Sequence, residues 1–149
     1  MAGQCSLVHA AKHGRLSVVS CLLACDWNTS TDSEAPKNYV EVKKEEATQQ
    51  ALVAAAAQGH ESVVEYFLDM SEVFIDKLDT LIGETALSVA ATNGSTTTVA
   101  SLLTRGANPS IFNIKGFSPL MLAAREGHWG TADRILQSNI SYNNFNFLL

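Results

Sequence analysis

Charge is scarce in this sequence, and positive charge is the scarcer kind. Of 149 residues, 17% are charged, with 10 Lys and Arg against 15 Asp and Glu for a net charge of −5. That balance argues against a broad basic footprint for nucleic acid or an anionic membrane surface. Cysteine is also sparse: Cys5, Cys21 and Cys25 are the three present. An odd set clustered near one end does not make a disulfide framework, and it reads as reduced thiols in a cytoplasmic protein. No uninterrupted apolar run approaches the roughly 18 residues that a membrane-spanning helix needs, so membrane insertion is not expected. The first residues carry neither the basic nor the apolar region of a secretory signal. A Gly-rich phosphate loop, a dinucleotide fingerprint and a Gly-x-Ser-x-Gly nucleophile elbow are all missing, so neither an enzyme nor a cofactor is expected.

Apolar residues, by contrast, are plentiful, at 46% of the chain, and they recur with a period. Leu7-Val8-His9-Ala10-Ala11-Lys12-His13-Gly14 aligns with the segments 52–59, 87–94 and 120–127, each reading Leu-x-x-Ala-Ala-x-x-Gly. The closing glycines at 14, 59, 94 and 127 are 45, 35 and 33 residues apart, so 33 is the bare period and the first two intervals carry insertions. After each glycine a second pattern follows at fixed offsets: Val18, Val19, Leu22 and Leu23; Val63, Val64, Phe67 and Leu68; Thr98, Val99, Leu102 and Leu103; Thr131, Ala132, Ile135 and Leu136. This spacing lays one apolar stripe along a helix. Each unit is therefore a short helix, a glycine turn and a second short helix. The alanine pair lets neighbouring first helices approach closely. Ser118-Pro119 supplies an N-cap and a first-turn proline, and Thr85-Ala86 is the same start without the proline.

A 33-residue unit of two helices and a connecting arm resembles the ankyrin repeat. The residues that carry the likeness are the Thr85 and Ser118-Pro119 helix starts, the Ala-Ala-x-x-Gly segments, Gly-His at 59–60 and 127–128, and Gly-Ala-Asn at 106–108. The tetratricopeptide repeat has a similar period but lacks the glycine-closed first helix and the long glycine-bearing arm. Two departures stand out. Val8, Val53, Ser88 and Met121 occupy the place where the family usually has His, and the second unit has Gln50-Ala51 in place of a Thr-Pro start. Segments 18–27, 49–56, 83–87 and 127–129 also resemble the ankyrin region of TANC-type scaffolds. The expected fold is an all-α solenoid over residues 3–138, with units at about 3–27, 47–79, 80–112 and 113–145 and a polar, disordered insert at 27–46. Tyr39 to Glu46 is read as a possible backward extension of the second unit's helix. Residues 139–149 read as the start of a fifth arm or as a C-terminal cap, Asn139 standing where Gly106 stands; otherwise further repeats of a longer chain follow.

The resemblance implies a non-catalytic scaffold or adaptor that binds a protein or peptide, on a concave face formed by the arm tips and the exposed places of each first helix. Those helix places are Lys12 and His13, Ala57 and Gln58, Thr92 and Asn93, and Arg125 and Glu126. The arm places are Leu81, Ile82 and Glu84, then Ile114, Lys115 and Phe117, of which Leu81, Ile82, Ile114 and Phe117 are apolar where solvent favours polar groups. Phe117 and Lys115 are the pair whose replacement is expected to weaken a partner. The resemblance also makes His60 and His128 structural, bonded to neighbouring turns. Trp129 is expected to pack in the core and Trp27 to shield the edge of the first unit. The alternative is a metal-binding or enzymatic protein built on His9, His13, Cys21 and Cys25, whose i, i+4 pairs match zinc's preference for nitrogen and sulfur ligands.

Overall fold

The computed structural model describes residues 6–25, 44–71 and 73–146, with side chains as far as 141. The described residues contain eight helices and no strand, in four consecutive pairs. The pairs are α1 (Ser6–Lys12) with α2 (Leu16–Ala24), α3 (Lys44–Gln58) with α4 (Glu61–Leu68), α5 (Ala86–Thr92) with α6 (Thr96–Thr104), and α7 (Pro119–Arg125) with α8 (Trp129–Asn146). First helices pack on first helices in the order α1, α3, α5, α7, and second helices stack as α2, α4, α6, α8. The arrangement is the all-α repeat solenoid that the period predicts.

The alanine pairs form the seam between first helices. Ala10, Ala11, Ala55, Ala56, Ala90, Ala91 and Ala123 are buried, and each lacks the side chain that would hold its neighbour away. The second-helix stripe fills the other layer, with Val19, Val63, Val64, Phe67, Val99, Leu102 and Ile135 all at zero exposure. Burying side chains of this size contributes about 1.5–3 kcal/mol each. The stripe fails only at the ends of the stack: Val18 and Leu136 are exposed, because no described unit lies beyond them.

Local chemistry fixes the helix starts. Thr85 Oγ1 accepts from Ser88 N at 3.1 Å while Ser88 Oγ accepts from Thr85 N at 2.8 Å, a reciprocal cap. Ser118 Oγ accepts from Met121 N at 3.3 Å, with Pro119 in the first turn. The second unit does without such a start because α3 begins at Lys44, well before Gln50. Its extra turns are tied to the following arm: Gln49 Nε2 donates to the Phe74 carbonyl at 3.0 Å and Lys77 pairs with Glu45 at 3.1 Å. The remainder of the proposed insert, and Trp27 with it, lies outside the described residues.

Two expectations change. Residues 139–146 continue α8 and do not turn into an arm. Gly106 leaves its helix at φ +92°, whereas no described residue other than glycine has a positive φ, so the helical ladder runs on through Asn139. Trp129 is 71% exposed, not core. It opens α8, at a position where the earlier units place the half-exposed Leu16 and the exposed Glu61 and Thr96.

Consecutive units are joined at their glycine turns. Gly14, at φ +68°, has the His60 ring so near that a Cβ would fall 2.7 Å from Nδ1, and His60 Nε2 donates to the Lys12 carbonyl at 2.9 Å. Gly94 meets the His128 ring in the same way, and Ser95 takes that place against Gly59. Only glycine satisfies both the left-handed backbone and the close approach. On the outer side Arg105 of α6 reaches back to α4, 2.6 Å from both Glu65 Oε2 and Asp69 Oδ1. These bonds to Asp69 and then Glu65 raise its pKa above the usual arginine value.

Candidate functional site

The arms present Leu81 and Ile114, which with Trp129 of α8 are the most exposed large apolar groups among the described residues. In the first arm, Asp79 N donates to the Glu84 carbonyl and Gly83 N to the Asp79 carbonyl, both at 2.8 Å. The buried Asp79 carboxylate accepts from Leu81 N at 3.1 Å. This closed turn pushes Leu81 (75% exposed) and Ile82 (48%) outward. The second arm is built the same way around Asn113, whose Oδ1 accepts from Lys115 N at 3.0 Å and Phe117 N at 2.8 Å. The arms are bonded to each other: Ile114 N donates to the Gly83 carbonyl at 3.1 Å, and Asn113 Nδ2 donates to Glu84 Oε1 at 2.7 Å. Ile114 is 71% exposed although it rests on Gly83.

A groove of about 320 Å³ runs between the first helices and the first arm. It is lined by Val8 and Lys12 of α1, by Gln50, Val53, Ala54, Ala57 and Gln58 of α3, and by Asp79, Leu81 and Ile82 of the arm. The groove exists because α3 is small there. The register of Ala57 holds Lys12, Thr92 and Arg125 in the other units, and that of Ala54 holds His9, Val89 and Leu122. Of the residues that line the groove, Val8, Gln50, Val53, Ala54 and Asp79 were not among the predicted places. A position-by-position comparison of the four units contains the signal.

The other predicted places divide. Lys12, Gln58, Leu81 and Ile82 meet at the groove, whereas His13 lines a separate hollow at the outer end of the first unit with His9, Arg15 and Leu22. Thr92 turns its hydroxyl back to the Ser88 carbonyl of its own helix at 2.9 Å, whereas Asn93 Nδ2 donates to the Ala57 carbonyl at 2.6 Å and so ties the third unit to the second. Phe117 is half-buried with the Arg125 guanidinium 5.1 Å from its ring centroid, and Arg125 pairs with Glu126 at 2.8 Å. Lys115 is exposed.

The metal alternative does not assemble. His9 and His13 stack with ring centroids 4.5 Å apart, while Cys21 and Cys25 are exposed on α2, Cys25 donating its thiol to the Cys21 carbonyl. No group of three or more His, Cys, Asp or Glu among the described residues is placed to hold a metal ion. Nor is any helix among them long and apolar enough to cross a membrane.

Four stacked helix pairs, joined through glycine turns and carrying bonded arms, define a helical repeat protein. The chain belongs to the ankyrin-repeat family: a model of three ankyrin repeats matches residues 52–146. It is 32% identical over 126 residues to the Caenorhabditis elegans ankyrin repeat and KH domain-containing protein mask-1, covering 85% of this chain and 4% of that protein. It is 31% identical over 119 residues to the Neurospora crassa ankyrin repeat protein nuc-2, covering 80% of this chain and 10% of the relative. The chain thus spans a tenth or less of the curated relatives it matches.

Proposed function

We propose that the chain is a non-catalytic interaction module of scaffold or adaptor type, which binds a protein or peptide on the side formed by the arm tips and first helices. The observation that carries this reading is the exposure of Leu81, Ile82 and Ile114 on arms that hydrogen bonds hold rigid. Exposed apolar groups on a fixed frame cost little ordering entropy when a partner covers them. Lys12, Gln58 and Lys115 add a polar rim. Phe117 contributes from beneath Arg125, so Ile114 and Lys115 are the better pair to replace.

The test is affinity capture from a cell lysate with the wild-type chain, with Ile114→Asp/Lys115→Glu, and with a control altered on the outer helices at Glu61 and Ser101. Circular dichroism checks that each folds. Proteins retained by wild type and the control but lost by the arm variant support the reading. Capture unaffected by the arm variant and abolished by the control contradicts it.

A further inference from the structure

The groove beside Ala54 and Ala57 has the features of an anchor socket, an inference that rests on the arm and first-helix side being the binding side. Its volume of about 320 Å³ exceeds twice the roughly 150 Å³ of an engineered apolar cavity that takes up benzene. Val8, Val53, Ala54 and Ala57 give it an aliphatic lining beside the Gln50 side chain, and the exposed Leu81 and Ile82 of the arm tip complete it. Among the described residues, Asp79 is the only carboxylate lining it, and it is buried and already accepts the Leu81 amide. The rim carries Lys12, whose ammonium has no acidic partner among the described residues: the ion pairs there are Lys77–Glu45, Arg105–Glu65, Arg105–Asp69 and Arg125–Glu126. A chain of net charge −5 thus places at the mouth of this groove a cation with no acidic partner among the described residues.

We propose that this groove anchors an extended partner segment by one large apolar side chain, and that a carboxylate within about two residues of it in the partner pairs with Lys12. The apolar group supplies affinity by leaving water. The charge pair fixes direction and excludes basic segments. The same position in other units shows how the socket can be closed without disturbing the stack: Arg125 occupies the register of Ala57, so Ala57→Arg fills the groove with a side chain this fold already accepts.

The experiment selects phage-displayed random short peptides on the chain and titrates the enriched peptides, labelled with fluorescein, by anisotropy. The variants are Ala57→Arg, Lys12→Glu and Ile114→Asp, each checked for folding. Enriched peptides are expected to carry Leu, Met or Phe beside Asp or Glu. Ala57→Arg should weaken them about tenfold or more, the worth of one buried apolar side chain. Lys12→Glu should weaken them about two- to fivefold, and a peptide with Lys in place of its acid should bind Lys12→Glu better than wild type. Peptides that bind Ala57→Arg as tightly as wild type yet are lost on Ile114→Asp overturn the socket and leave the binding side standing. Peptides indifferent to all three variants overturn both. Failure to enrich any peptide, or enrichment without the apolar and acidic pair, overturns the proposal.

Discussion

Replacing Gly94 by alanine probes the joint between the third and fourth units. Gly94 sits at φ +70°, where an L side chain is strained by about 1–2 kcal/mol. A Cβ there would lie 2.5 Å from His128 Nδ1 and 2.6 Å from its Cγ, so the ring has to leave the turn. Overpacking of this kind adds about 1–3 kcal/mol. Gly127 supplies the internal control: its φ is +79°, yet a Cβ would meet nothing within 4 Å. Gly127→Ala therefore carries the backbone strain alone, and the difference between the variants isolates the joint. One kcal/mol moves Tm by about 2–4 °C for chains near this size, so Gly94→Ala should melt about 2–12 °C below Gly127→Ala. Paired thermal and urea unfolding followed by far-UV circular dichroism measures this. Equal losses in the two variants would show that the ring over Gly94 contributes nothing to coupling, and the reasoning would fail.

Three further outcomes follow from the same packing. Phe67 is fully buried, so Phe67→Ala should destabilise the chain by about 3–5 kcal/mol in urea titration; a loss below about 1 kcal/mol would mean that the second-helix layer is not close-packed. Trp129→Gln should change stability by less than about 0.5 kcal/mol, since the ring is mostly solvated, and a large loss would place it in contact with further structure. Arg105→Gln should lower Tm at low salt, and the deficit should shrink in about 1 M NaCl, where the Debye length is ~3 Å; a salt-independent deficit would point to packing by its aliphatic stem.

The interior of the stack was legible because each unit solves the same problem with the same residues. Ala-Ala at the seam, Leu at the helix start and glycine at the turn recur in phase, so periodicity identifies units that no single segment would. His60 could likewise be read as a bridge to the preceding turn, and its bond to the Lys12 carbonyl is that bridge. The ends were harder. Val18 and Leu136 follow the pattern of buried or half-buried positions, but burial at a repeat edge is decided by the neighbour and not by the residue, and Trp129 stands at a place the earlier units also leave largely exposed. Asn139 aligns with Gly106, yet a residue that keeps a negative φ stays in the helix. The groove was missed for a different reason: Ala57 was placed on the exposed first-helix side, but Ala54 looks like an ordinary packing alanine until the larger side chains of the other units are set beside both. The narrower likeness to TANC-type scaffolds gains no support from the relatives matched.

Partners are proposed to meet the arm and first-helix side. Amide hydrogen exchange of the chain, alone and with a selected peptide bound, tests this placement most directly. Binding should slow exchange in α1, in α3 around Ala54 to Gln58, and in the arm from Asp79 to Glu84, while α4 and α6 stay unchanged. Protection centred on α4 and α6, around Glu65 and Arg105, would contradict it.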